Sequence, residues 1–385
     1  MNRHHAAAAL ALLACAGCDD FRKGGGAPTG AAGGEAISTR PLPPAVSAQP
    51  VSAVAMQPPP ADLAPTETPN TSPPSAGSSN PAAARIETAS APDTAASRGV
   101  SDLLIKVETL LDRAHFSPGV IDARRGGNLK TAAATYERAH GLAGDGEITP
   151  DLVAALTKAD GAPVTQDYVV TAADEAGPFI GAAPTKLEDQ AKLPALGYTS
   201  PRQELAARFH MSEALLAALN PGVDFSKAGA TLLVVRPSGG LSGKVHKVVV
   251  DKAANQVRAL DASGTVMAAF PATVGSTERP APSGDFAVTT VAANPNYTYD
   301  PSRLTFGPTK AGKLTIPPGP NNPVGSTWIA LTVPTYGIHG TPDPTLVGKT
   351  ASHGCVRLTN WDAQALGKAV VKGTPVSFVG ETTKS

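Results

Sequence analysis

A chain of 385 residues can hold two or three domains. Its 32 Lys and Arg offset 32 Asp and Glu, for a formal net charge of +0, so nothing in the charge balance resembles a polyanion-binding protein and no nucleic-acid partner is expected. Aromatic residues are 4% of the chain and much of the proline is gathered early, a composition that suits small folded units separated by linker.

Residues 1–18 pass from Arg3, His4 and His5 into the apolar run Ala6–Ala14. That run is too short to cross a bilayer as a helix and has the layout of an export signal. Leu12-Leu13-Ala14-Cys15-Ala16-Gly17-Cys18 resembles the cleavage signal of a bacterial lipoprotein. The resemblance implies lipidation of Cys18, with Cys15 as the competing site and a plain cleaved signal as the alternative. It also implies a lipid-anchored protein of the cell envelope, facing the periplasm. No later run is long and apolar enough to span a membrane, so the rest of the chain is expected on one side of it.

Residues 19–98 are mostly Ala, Pro, Ser, Thr and Gly. Such a segment buries too little apolar surface to offset its ordering entropy, and its prolines keep it extended. It is expected to be a disordered tether. From Ser101 the pattern changes: Leu103, Leu104, Val107, Leu110 and Leu111 recur at helical spacing, with Ser101 or Asp102 as cap. A second helix is expected from about Asn128 to His140. Gly144-Asp145-Gly146 breaks it, and Thr149-Pro150-Asp151 opens a third helix. This all-α unit, residues 99–162, resembles the three-helix peptidoglycan-binding domain in its Phe116-Ser117-Pro118-Gly119-Val120-Ile121-Asp122 turn and its Gly-Asp-Gly. It departs from that family at Ala123, where glycine is usual, and at Tyr136-Glu137, where Phe-Gln is usual.

Residues 166–237 read as strand, two helices and strand: Tyr168–Val170, Pro201–Phe209, Ser212–Leu219 and Leu232–Val235. The order resembles the lysin motif (LysM), a small α+β glycan-binding module, with an insertion from Glu175 to Leu196 longer than that motif expects. An inter-domain adaptor is the rival reading.

After Pro237-Ser238-Gly239-Gly240 come many short strands: Lys247–Asp251, Gln256–Leu260, Val266–Phe270, Asp285–Thr289, Trp328–Leu331, Tyr336–Ile338 and Pro375–Val379. Their regular turns argue for a mainly β sandwich or barrel over residues 244–381. A single helix is expected from Trp361 to Val371, capped by Thr359 or Asn360 and stopped at Gly373.

This last region carries the chemistry. Cys355 is one of three cysteines, and the other two lie in the export signal. Exported cysteines usually pair, so a solitary thiol here suggests one kept for reaction. A thiol needs a base to become a nucleophile, and His339 lies sixteen residues upstream. Gly354 lets the backbone turn tightly, so that N–H groups could stabilise an oxyanion. Arg357 could hold a carboxylate with its planar fork. A zinc site built from His339, His353 and Cys355 is the metal alternative, and no cofactor is otherwise expected. Asp343, in Thr-Pro-Asp-Pro, reads as a turn residue, and Trp328 and Trp361 read as core. Tyr297 and Tyr299 lie in a Pro-rich loop that could cover the cleft.

His339-Gly340, a loop, then Ser352-His353-Gly354-Cys355-Val356-Arg357 resembles the signature of the L,D-transpeptidase catalytic domain. Ser283-Gly284-Asp285-Phe286, Pro317–Pro323 and Gly373-Thr374-Pro375-Val376 agree with it. The resemblance implies that Cys355 attacks a peptidoglycan stem peptide and that His339 is the base, oriented by the Gly340 carbonyl. It implies that His353 and Ser352 shape or polarise the pocket. Gly354 and Cys355 would form the oxyanion hole, and Arg357 would bind substrate. The acceptor would be an amine on a second stem or on a wall protein. Water as acceptor would make the enzyme an L,D-carboxypeptidase, and a decayed site would leave a wall-binding lipoprotein.

Overall fold

A computed structural model describes residues 78, 80–91, 100–276, 280–302, 312–350 and 354–381. The first layer is helical: α1 (Pro81–Thr88), α2 (Asp102–Arg113), α3 (Gly127–Ala139) and α4 (Pro150–Ala159). Ser101 Oγ caps α2 by accepting the Leu104 N–H at 3.3 Å, and Thr149 Oγ1 caps α4 by accepting that of Leu152 at 3.2 Å. The periodic leucines of α2 are all buried, which is why its amphipathic pattern was readable. Ala123, where glycine was expected, sits at φ 60, in the left-handed region that glycine occupies without strain. Within the span read as a tether, α1 packs on α2 through Ala83 and Ile86. Asn80 caps it and Pro81 opens it, a local start signal that an average over eighty residues of polar composition conceals.

The second layer joins this core directly. Strands β1 (Thr165–Val169) and β2 (Thr231–Val235) pair antiparallel, Thr165 opposite Val235. Between them lie α5 (Ala172–Ala176), α6 (Leu187–Gln190), α7 (Pro201–Arg208) and α8 (Glu213–Leu219). Leu205, Leu215, Leu216, Leu232 and Val234 share one apolar cluster with Leu103, Leu111 and Ile121. The two small units are thus one packed body.

The C-terminal region is a β-sheet wrapped on itself. Its strands are β3 (Lys247–Asp251), β4 (Gln256–Leu260), β5 (Val266–Pro271), β6 (Thr273–Val274), β7 (Gly284–Ala293), β10 (Thr327–Leu331), β11 (Gly337–His339), β12 (Val356–Arg357) and β13 (Pro375–Val379). Their order is β5-β4-β3-β13-β7-β10-β11-β12-β6. The first and last of these are separated by Ala272 alone, so one run of chain bonds β4 on one side and β12 on the other. That closes the sheet into a barrel-like ring. The rest of the β5 edge is covered by the helical layer: Ser117 N–H donates to the Ala269 carbonyl and Ala269 N–H to that of His115, each at 2.8 Å. Val248, Val250, Ile329, Ile338, Val356 and Phe378 fill the interior with Leu366 of α9 (Asn360–Ala369). Each such side chain contributes about 1.5–3 kcal/mol on burial. A separate hairpin, β8 (Tyr297–Tyr299) with β9 (Leu314–Ile316), lies outside the ring order.

Polar contacts bind the layers together. Asn128 Nδ2 donates to the Val347 carbonyl at 2.9 Å, in the loop between His339 and Cys355. Leu196 and the 318–321 turn exchange two backbone bonds of 2.8 and 3.0 Å, so the long insertion noted in the sequence serves to grip the barrel. His210 stacks on Trp361 at 4.9 Å and its Nδ1 lies 3.1 Å from Asp112. Ser117 Oγ donates to Asp362 at 3.1 Å. These residues border a cavity of about 150 Å³ where the three parts of the chain meet.

Candidate active site

Strands β11 and β12 run parallel with Ile338 opposite Val356 and His339 opposite Arg357. Ile338 and Val356 are both 0% exposed, inside the barrel. Side chains alternate along a strand, so His339 and Arg357 face the other way, and Cys355, at the bend just before β12, lies close enough to Arg357 to feel its charge. A base and a cation thus share the outer face of one two-stranded ribbon, with a thiol at the bend that leads into it.

The thiol sits at a sharply bent point. Gly354, immediately before it, has φ +118, and a Cβ there would meet the Tyr336 hydroxyl oxygen at 3.1 Å. Glycine is the residue that this position accepts. Half-buried Cys355 donates its S–H to the Thr335 carbonyl at 3.7 Å and accepts from the Gly337 N–H. Thr335 itself sits at φ 67, a strained conformation for a β-branched residue.

The base is held from two sides. His339 Nδ1 lies 2.7 Å from the Gly340 carbonyl oxygen. A carbonyl only accepts, so Nδ1 carries the proton and Nε2 of the neutral ring is the proton acceptor. Trp328, opposite His339 in β10, stacks on the imidazole at 5.4 Å. The indole also occupies the space where a Cβ on Gly337 would stand, 2.6 Å away. Trp328 therefore belongs to the site's wall rather than to the core, and Trp361 lies at the layer junction with His210.

Burial sets the charge state. It pushes the His339 pKa down to about 4, with Arg357 adding to the effect and the Gly340 bond opposing it. It raises the Cys355 thiol, against the Gly337 N–H and the Arg357 charge. It lowers Arg357, against Cys355 and Tyr297. At neutral pH the resting thiol and imidazole are both neutral. Tyr297 feels Cys355 and Arg357, and burial first and then Cys355 raise its pKa. The β8–β9 hairpin thus presents a phenol to the site, whereas Tyr299 is buried.

Ser352 and His353, like Cys18, lie outside the described residues. Asp343 caps the short turn Pro344–Leu346 by accepting the Thr345 N–H at 3.0 Å, the turn role that its prolines suggested.

Residues 246–377 match the family model described as the L,D-transpeptidase catalytic domain. The chain is 31% identical over 206 residues to the "Probable L,D-transpeptidase YbiS" of Escherichia coli (strain K12), covering 49% of this chain and 63% of that protein. It therefore spans less than two thirds of that relative's length. It is 33% identical over 135 residues to the "Putative L,D-transpeptidase YqjB" of Bacillus subtilis (strain 168), covering 34% of this chain and 68% of that protein. A solved structure of L,D-transpeptidase 3 from Mycobacterium tuberculosis aligns with a TM-score of 0.30 and 17% identity, over 40% of this chain and 75% of that one, a likeness too loose to carry weight.

Proposed function

The chain belongs to the L,D-transpeptidase family through its barrel domain, and from that premise we propose that it is a peptidoglycan L,D-transpeptidase with Cys355 as nucleophile and His339 as base. The observation that supports the reading is the β11–β12 register, with His339 opposite Arg357 two residues after Cys355, together with the Gly340 carbonyl that takes the Nδ1 proton and leaves Nε2 as the acceptor.

In the first half-reaction the Cys355 S–H turns from Thr335 and gives its proton to His339 Nε2. The sulfur attacks the carbonyl carbon of the amide between the third and fourth residues of a stem peptide. The Gly354 and Cys355 N–H groups hold the developing oxyanion, worth about 3–4 kcal/mol for one good donor. The C–N bond breaks, the imidazolium returns its proton to the leaving amine, and a terminal D-amino acid departs from a thioester. In the second, an acceptor amine gives its proton to Nε2 and displaces the sulfur, which takes that proton back from the imidazolium as a thiol. Arg357 binds a substrate carboxylate, and Ser352 and His353 shape the pocket beside it. The acceptor is a second stem or a wall protein.

The remaining parts fit a wall enzyme. The helical layer is a peptidoglycan-binding module and the β1–β2 unit a LysM-like one, supported by its two antiparallel strands enclosing α7 and α8, with α5 and α6 as an addition to that pattern. Cys18 carries a lipid that anchors the protein in the envelope. The test is release of D-alanine from tetrapeptide stems by the purified chain, with Cys355→Ala as control. Product at the parent rate from the alanine variant would refute the nucleophile. Muropeptide mass spectra with added acceptor stem decide the second half-reaction: cross-linked dimers are expected, and trimmed monomers alone would make the enzyme an L,D-carboxypeptidase.

A further inference from the structure

Three backbone segments around the base converge on one side-chain amide. Asn360 opens α9, five residues after Cys355. Its Oδ1 accepts the Ser326 N–H and its Nδ2 donates to the Pro320 carbonyl, each at 3.0 Å. The same Oδ1 stands where a Cβ would be on Gly340 and also where one would be on Gly325. Gly325, at φ +64, packs on the Gly340–Thr341 peptide, whose carbon and nitrogen lie 2.5 and 2.6 Å from its virtual Cβ. That peptide carries the carbonyl oxygen that takes the Nδ1 proton of His339.

The strands fix the preceding peptide. Gly340 N–H donates to the Thr327 carbonyl at 3.1 Å, and Leu358 N–H to the His339 carbonyl at 2.8 Å. Beyond Gly340 the ladder with β10 and β12 ends. The next peptide is held by being sandwiched between Gly325 and the Asn360 amide. Both glycines are required by contact with Asn360, and both polar ends of the amide are used.

We propose that Asn360 is a positioning residue: acting through Gly340, it aligns the carbonyl that fixes the His339 tautomer and so keeps Nε2 as the proton acceptor. The stretch that bears the thiol thereby also sets the base, because one short run of chain holds both Cys355 and Asn360. The assignment rests on the reading of Cys355 and His339 as a nucleophile–base pair.

The test uses the full chain and a readout independent of the wall substrate. The rate at which iodoacetamide alkylates Cys355, located by peptide mass, is followed from pH 5 to 9 in the parent, Asn360→Ala, His339→Ala and the double variant. The expected result is that Asn360→Ala slows alkylation at neutral pH about tenfold or more, toward the His339→Ala rate. In the double variant the losses should not multiply, since both changes remove one function. D-alanine release should lose kcat with KM nearly unchanged. Asn360→Asp keeps the Ser326 bond, turns a carboxylate oxygen toward the Pro320 carbonyl, and should fall between. It also stands in if the alanine variant does not fold. A folded variant with the parent's alkylation profile, or losses that multiply in the double variant, would overturn the proposal. Should the parent release no D-alanine, the functional reading fails while the alkylation series still decides the role of Asn360.

Discussion

Lowering the pH distinguishes a buried base from an ordinary one. An unperturbed imidazole, near 6.5, is about nine-tenths protonated at pH 5.5. His339, held at about 4 by burial and Arg357, is only about 3% protonated there. The acid limb of kcat/KM for D-alanine release should therefore be half-maximal near pH 4, with activity at pH 5.5 close to its plateau. Stability follows the same group. The unfolded chain binds the proton near 6.5 and the folded one near 4, so between those values the unfolded state holds more protons. The stability tied to neutral His339 is complete above 6.5 and lost as pH falls through 4, at most about 3 kcal/mol. Urea melts of the parent and His339→Gln at pH 7.5 and 4 measure that difference directly. An acid limb half-maximal near 6.5, with no difference between the two proteins' pH-dependent stability, would refute the claim that the buried ring is held neutral.

The opposite sign is expected at the layer junction. Asp362, buried beside Asp112, is raised to about 7, so its neutral form stabilises the fold at low pH and that contribution is lost as pH rises from about 4 through 7. Asp362→Asn should match the parent at pH 4 and exceed it at pH 8 by at most about 4 kcal/mol in urea melts. Gly319, at φ +142, leaves no room for a Cβ beside the Leu196 carbonyl; Gly319→Ala should destabilise the chain by about 1–3 kcal/mol, read from the same melts, and an unchanged midpoint would show that the turn can move aside. Arg357→Gln should raise KM for a carboxylate-bearing stem roughly 10- to 100-fold, as loss of a charged hydrogen bond implies, with the melting temperature little altered; an unchanged KM would remove Arg357 from substrate binding.

The barrel was legible where its strands were long enough to show alternation. Lys247–Asp251, Gln256–Leu260 and Pro375–Val379 stand at the bounds read from the sequence. Strands of two or three residues, such as Thr273–Val274 and Val356–Arg357, carry too little pattern to be read. Yet they close the ring and set the register of the site. The helices were legible through caps and apolar spacing, except α1 and the short α5 and α6, which went unread. At the site, Cys355 and His339 stood out because their chemistry is rare. Trp328 and Asn360 did not, since an indole and an amide acquire their roles from what they touch, and Tyr297 was read only as part of a loop over the cleft. The signal for Asn360 is tertiary: two glycines distant in sequence that prove to be its neighbours.

The central claim is a covalent one, so the most direct measurement is the mass of the intact protein during turnover. With a tetrapeptide stem and no acceptor, the parent should gain the mass of the stem less its terminal D-alanine, carried on the peptide that contains Cys355 and discharged when an amine is added. Stem cleavage at an undiminished rate with no such adduct, or with the adduct on another residue, would contradict it.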